Sequence, residues 1–258
     1  MNKAEIIGVK RHCMGTDGHG ITTLVAFHGC LLRCRYCLNP QCHSSFDPSR
    51  EVTAEELANV LKKDELYFIA TRGGVTFGGG EPLLQSKYIV DVLSLGAKKW
   101  HTTLETSLCA DRSHLERLLP WINEYIVDVK DMDDKIYESY TGHKSTKMKQ
   151  NLQYLIEMGK TDNILCRLPL IPGYNSETDR IKSKNILLDM GLKRFEQFTY
   201  IKNTSSPNKG LEMIIQKKEQ LTLENVKKIK EERIRQKKIL KEILEEYKDV
   251  WTKGKIIE

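Results

Sequence analysis

No apolar run in the 258 residues approaches membrane-spanning length. The opening residues Met1-Asn2-Lys3-Ala4-Glu5 lack the apolar core of a secretory signal. These absences argue against a membrane partner, and the expected location is the cytoplasm. A cysteine pairing pattern is missing too: there are seven cysteines, an odd number, and Cys13, Cys42, Cys109 and Cys166 are scattered. That usage fits a reducing compartment and not a disulfide scaffold. Nor is there a strong charge of one sign. Much of the net +6 sits in residues 217–258, which leaves a near-neutral body and argues against a nucleic-acid-binding face. Internal repeats and low-complexity linkers are absent, so a chain of this length is expected to build one barrel-sized α/β domain.

What the chain does have is a group of three closely spaced thiols. The stretch from His28 to Pro40 spaces Cys30, Cys34 and Cys37 as CxxxCxxC after an apolar run, so one loop can turn all three sulfurs into a single pocket. Cubane iron-sulfur clusters are usually held by four thiolates. A local set of three therefore predicts a 4Fe-4S cluster with one iron left open for a substrate or cofactor ligand. Two other readings stay open: a structural zinc knuckle that recruits Cys42 or His43, and cysteines buried as small apolar side chains.

Runs rich in β-branched and aromatic residues predict a first strand at 6–9, then six more at 21–27, 75–77, 102–105, 125–129, 164–168 and 195–200. Helices are expected between the later strands, near 86–95, 112–119, 133–140, 145–158 and 176–190. The Thr53-Ala54-Glu55-Glu56 capping box opens the first helix. Six strands alternating with helices give a partial parallel (β/α)6 barrel of TIM-like type over residues 1–215. Residues 216–258 are expected to form a long charged helix, packed on or extending from the barrel. Its apolar positions Ile239, Leu240, Ile243, Leu244, Tyr247, Val250 and Trp251 follow helical spacing.

Gly78, Gly79 and Gly80 follow the third expected strand and permit positive φ and close approach of a ligand. Glu105, Thr106, Asp128 and Lys130 fall at the C-terminal ends of adjacent expected strands, where barrel enzymes place their chemistry. The plain alternative for these four is an ordinary surface ion pair of modest value.

The CxxxCxxC loop, with Tyr36 just before its last cysteine, and the Gly79-Gly80-Glu81 turn resemble the two hallmarks of the radical S-adenosylmethionine (SAM) enzymes. From about residue 18 to residue 204 the chain most resembles the activating enzymes of glycyl radical enzymes. The resemblance implies a single 4Fe-4S cluster on Cys30, Cys34 and Cys37, because the ten or so residues between Cys42 and the first helix leave no room for a ferredoxin-like insert. It also implies reductive cleavage of SAM to methionine and a 5'-deoxyadenosyl radical that abstracts hydrogen from a glycine of a partner glycyl radical enzyme. Gly79, Gly80 and Glu81 would hold the SAM amino group, and Tyr36, Asn39, Asp128 and Lys130 would contact the cofactor. Arg167 would meet the SAM carboxylate or a peptide carbonyl. Glu105 and Thr106, with Asp128, would surround a small cation. A flavodoxin or ferredoxin-type protein would supply the electron.

The chain departs from the family pattern at several places. Thr22 stands where an Arg, Lys or Ser is usual, Ala26 where a Phe is, and His19 where a Pro often is; Lys202 replaces a His on the last strand. These departures bear on the acceptor and leave two further readings: a radical SAM enzyme acting on another peptide or a small molecule, and an iron-sulfur electron-transfer or sensor protein. The latter would need neither the glycine turn nor Asp128 and Lys130.

Overall fold

The computed structural model describes residues 2–15, 17–43, 50–96, 99–201 and 212–214, with 234, 235 and 238. In chain order the strands are β1 (Lys3–Met14), β2 (Ile21–Phe27), β3 (Arg50–Thr53), β4 (Gly74–Gly79), β5 (His101–Thr106), β6 (Glu124–Asp128), β7 (Ile164–Leu170), β8 (Arg194–Ile201) and β9 (Glu212–Ile214). The helices are α1 (Ala54–Lys62), α2 (Glu65–Thr71), α3 (Ser86–Leu95), α4 (Arg112–Leu118), α5 (Asp134–Thr141), α6 (Thr146–Glu157) and α7 (Glu177–Asp189). One sheet takes the order β3-β1-β2-β4-β5-β6-β7-β8-β9. The six strands from β2 through β8 in this order pair in parallel, whereas β1, β3 and β9 pair antiparallel at the two edges. This is the open, partial TIM-like barrel expected from the alternation of strands and helices.

The edges differ from expectation. The first strand runs from Lys3 to Met14 and not over 6–9 alone, and its pairing with β2 shifts register between Ile6 and Gly8 and between Lys10 and Cys13. Bulges of this kind break the period-two alternation that sequence reading relies on. β3 and β9 carry only four and three residues, too few for a pattern to register. The expected Thr53 cap is present: Glu56 N donates to Thr53 Oγ1 at 3.2 Å and Thr53 N to Glu56 Oε2 at 2.8 Å. The expected helix at 216–258 and Lys202 fall outside the described residues, apart from the isolated positions named above. Among the described residues, no helix is long and apolar enough to cross a membrane.

The apolar core lies between the outer face of the sheet and the helices. Phe27, Phe77, Leu104, Val127 and Leu168, one from each of five successive parallel strands, are buried together with Leu57, Leu61, Ile89, Val92, Leu115, Leu152 and Leu155 of the helices. Each such side chain contributes about 1.5–3 kcal/mol on burial. Alternate residues on the same strands point the other way, which leaves the concave face for polar side chains.

Candidate active site

The chain leaves β2 and enters the cysteine loop at Gly29, which has φ +91°. The glycine turn leaving β4 locks onto that loop: Gly80 N donates to Phe27 O at 2.9 Å and Glu81 N to Gly29 O at 2.8 Å. A Cβ on Gly79 (φ +95°) would sit 2.6 Å from Phe27 N, and one on Gly80 would sit 2.1 Å from Gly29 O. Close approach of two backbones therefore already requires these glycines. The far side of the loop rests on the end of α5, whose last carbonyls need partners. Arg33 N donates to Thr141 O at 2.8 Å and Arg35 N to Tyr140 O at 3.1 Å.

The result is a cavity of about 250 Å³ at the C-terminal ends of the strands, lined by Cys30, Cys34, Cys37, Tyr36, Asn39, Gly79, Gly80, Glu105, Thr106, Asp128, Lys130 and Arg167. Of the residues assigned above to the cluster or the cofactor, Glu81 alone is not on this wall. Its carboxylate is buried (1 % exposed) and accepts from Thr106 Oγ1 (2.6 Å), Ser107 N (3.0 Å), Ser107 Oγ (2.5 Å) and Leu83 N (3.2 Å). Its side chain thus ties the glycine turn to the end of β5. Asn39 Nδ2 donates to Gly79 O at 3.1 Å, and the Tyr36 hydroxyl donates to Pro172 O at 3.3 Å.

Asp128 and Lys130 are two residues apart at the end of β6, so they share a face, and Lys130 Nζ lies 2.8 Å from Asp128 Oδ2. Burial opposes the charge on Lys130, but Asp128 together with Tyr200, Cys34 and Tyr140 outweighs it and holds the ammonium pKa well above the usual lysine value. Burial likewise opposes charge on Asp128, yet Lys130 and Arg167 keep its carboxyl below the usual range. Arg167 donates from Nη1 to Glu105 at 2.6 Å and from Nε to Glu196 at 2.7 Å. Burial raises the Glu105 carboxyl to about 7, against the pull of Arg167. The two carboxylates expected to surround a small cation therefore each have a cationic side chain as partner, Arg167 for Glu105 and Lys130 for Asp128.

Glu196, Asp17, Ser107, Tyr140 and Tyr200 complete the site or its support and were not singled out in the sequence. Glu196 is third in β8 and so carried no strand-end signal; for the tyrosines, brought together from α5 and β8, there was none either. Of the departures from the family pattern, Thr22 is buried on β2, Ala26 lines a separate cavity with Gly8 and Lys10 of β1, and the His19 ring lies 6.4 Å from that of His101.

The three thiols suit an iron-sulfur cluster. All are half-buried and unpaired as disulfides, and they line one cavity with a lysine close by. Burial pushes Cys30 up to about 12 and Cys34 to about 11. A hydrogen bond from Cys42, helped by Lys130, brings Cys37 down to about 6. Bound metal would supply the positive charge that two of these thiolates lack. The zinc alternative finds Cys37, Cys42 and His43 with ligand atoms within 4.8 Å of one another. However, His43 Nδ1 accepts from the Arg33 guanidinium at 2.7 Å, which sets a fixed positive charge beside that group and leaves Cys30 and Cys34 unexplained.

Comparison with known proteins agrees with this geometry. A model of the radical SAM superfamily matches residues 24–182. The pyruvate formate-lyase-activating enzyme of Staphylococcus aureus is 36% identical over 174 residues, covering 64% of this chain and 68% of the relative. Two solved structures share the fold at low identity. SuiB of Streptococcus suis bound to S-adenosylmethionine has a TM-score of 0.52 at 18% identity, over 70% of this chain and 43% of that one. TYW1 with a lysine-pyruvate adduct bound also has a TM-score of 0.52, at 14% identity, over 75% of this chain and 68% of that one. The chain thus spans less than half of the SuiB protein.

Proposed function

The chain belongs to the radical SAM superfamily, and from that premise we propose that it activates a glycyl radical enzyme by removing a glycine Cα hydrogen from the partner. The observation that carries this reading is the convergence of Cys30, Cys34, Cys37, the Gly79-Gly80 turn and the Asp128–Lys130 pair on one cavity. Similarity to a pyruvate formate-lyase-activating enzyme supports the choice of acceptor.

Cys30, Cys34 and Cys37 would hold a 4Fe-4S cluster, which together with bound SAM supplies electron transfer and reductive cleavage to methionine and a 5'-deoxyadenosyl radical. The protein contributes binding, orientation and shielding. Gly79 and Gly80 present backbone polar groups at the cavity wall, where no side chain intervenes. Lys130 stays protonated, so it offers a fixed positive charge to a carboxylate or to the sulfurs beside it. Asp128, kept ionised, accepts from donors on a bound nucleoside or amino group. Arg167 is held from both sides by carboxylates and serves mainly to set the electrostatics of the cavity. A one-electron donor of flavodoxin or ferredoxin type would reduce the site.

The test uses pyruvate formate-lyase carrying deuterated glycine as the acceptor. With SAM and reductant, deuterium should pass into 5'-deoxyadenosine and a backbone radical should be visible by electron paramagnetic resonance. Deuterium arriving from a small metabolite instead would transfer the assignment to that metabolite.

A further inference from the structure

Asp131 follows Lys130 at the exit of β6. Its side chain is buried (2 % exposed) and, unlike that of Lys130, stays off the cavity wall. Three donors converge on its carboxylate. Ser183 Oγ of α7 and Asp133 N donate to Oδ1 at 3.0 and 2.9 Å, and Asn175 Nδ2 donates to Oδ2 at 3.1 Å. Asn175 lies in the connection between β7 and α7 and folds back along it: Nδ2 also donates to Pro169 O at 3.1 Å, and Oδ1 accepts from Ile171 N at 2.6 Å. A carbonyl at one end of the amide and an N–H at the other fix which end faces Asp131. The same connection braces the cysteine loop, since Pro172 O accepts from the Tyr36 hydroxyl at 3.3 Å and the Tyr174 ring lies 5.9 Å from that of Tyr36. Asp131 and Asn175 therefore join the residue next to Lys130 to the segment on which the cysteine loop rests.

We propose that Asp131 is a positioning residue for SAM: through Asn175 it fixes the exit of β6 against the β7–α7 connection, and so sets the spacing between the Asp128–Lys130 pair and the cysteine loop. The proposal rests on the reading of this cavity as the SAM site. A ligand held between two walls depends on the residues that lock those walls in place, even where they do not touch it. A carboxylate suits the task because both of its oxygens accept. An amide at 131 would keep one acceptor for Ser183 and Asp133 but would turn its NH2 toward Asn175. Asn175 cannot flip to meet it without losing its bonds to Ile171 N and Pro169 O. Asp131→Asn thus removes a single link at nearly constant volume.

The experiment is equilibrium dialysis against labelled SAM on anaerobically reconstituted protein, with iron content and urea stability measured on the same samples. Asp131→Asn should bind SAM roughly fivefold or more weakly, the contribution of one hydrogen bond, and keep the wild-type iron content. Asn175→Ala should weaken SAM binding to a similar extent. The Asp131→Asn, Asn175→Ala double variant should be no weaker than the poorer single one, because both changes break the same link. Ser183→Ala removes another donor to Asp131 but leaves the Asn175 bond, so it should lower stability at wild-type SAM affinity. Asn175→Ala and Ser183→Ala alone decide the question where Asp131→Asn does not fold. Wild-type SAM affinity in Asp131→Asn or Asn175→Ala, effects that multiply in the double variant, or loss of iron in Asp131→Asn would overturn the proposal. An equal loss of affinity in Ser183→Ala would also overturn it, by reducing the role of Asp131 to general stability. Wild-type protein that carries iron but binds no SAM would overturn the parent reading along with it, an outcome visible before any variant is made.

Discussion

Arg167 Nη1 lies 2.6 Å from Oε1 of Glu105, joining the middle of β7 to the mouth end of β5 across the intervening strand β6. Its Nε holds Glu196 of β8 at 2.7 Å. One buried guanidinium thus serves two acids, each of which keeps some contact with solvent. Arg167→Ala is expected to lower the unfolding free energy in urea by about 2 kcal/mol, below the 3–5 kcal/mol of a fully buried pair because the acids can rehydrate. Arg167→Lys should recover only part of it, since a point charge cannot reach both carboxylates as a planar fork does. A change within about 0.5 kcal/mol, typical of plain surface positions, would show that the network adds no stability.

The same network sets a pH dependence. Burial raises the Glu105 carboxyl from 4.5 to about 7, so the folded protein holds this proton more tightly than the unfolded chain. The stabilising contribution is fully present below about pH 4.5 and is lost as pH rises through about 7. Urea titrations from pH 4.5 to 8 should show wild type losing stability relative to Glu105→Gln over that window. Parallel curves would mean that Glu105 titrates as an ordinary glutamate.

Glu81 offers a test that separates structure from ligand contact. Its carboxylate accepts from Thr106, Ser107 and Leu83, and hydrogen bonds to a charged group are worth about 1.5–3 kcal/mol. Glu81→Ala should therefore destabilise the protein by about 3 kcal/mol or more. In the fraction that stays folded, SAM affinity should fall as the Gly79-Gly80 turn loosens. A variant of wild-type stability with weakened SAM binding would instead assign Glu81 to the ligand.

The parallel core of the fold was legible because its strands are short apolar runs at the spacing of β/α units. The site was legible where residues cluster along the chain, as in the cysteine loop, the glycine turn and the Asp128–Lys130 pair. What was hidden depends on contacts between distant segments. Nothing near Glu81 in sequence marks Thr106 and Ser107 as its partners, and nothing near Arg167 marks Glu196. Tyr140 and Tyr200 reach the cavity from α5 and β8 through tertiary packing alone. β1 was read short because its bulges interrupt the alternation of buried and exposed residues.

Asp128 and Lys130 should matter for the cofactor and not for the iron. Neither is a thiolate, and their pairing at 2.8 Å leaves the cysteine loop untouched. Asp128→Ala and Lys130→Ala are expected to weaken SAM binding by roughly tenfold or more, the loss of about 1.4 kcal/mol, with the cluster absorbance unchanged. Equilibrium dialysis against labelled SAM checks this. Wild-type affinity in both variants would remove β6 from the binding site.

The central claim, that Cys30, Cys34 and Cys37 hold an iron-sulfur cluster that cleaves SAM, is tested most directly by product analysis on anaerobically reconstituted, dithionite-reduced protein. Wild type should carry about four irons and convert SAM slowly to 5'-deoxyadenosine and methionine without a partner. The Cys30→Ala, Cys34→Ala, Cys37→Ala triple variant should do neither, while Cys13→Ala, Cys109→Ala and Cys166→Ala should leave both unchanged. Stoichiometric zinc with no iron in anaerobically purified protein, and no 5'-deoxyadenosine after reconstitution, would contradict it.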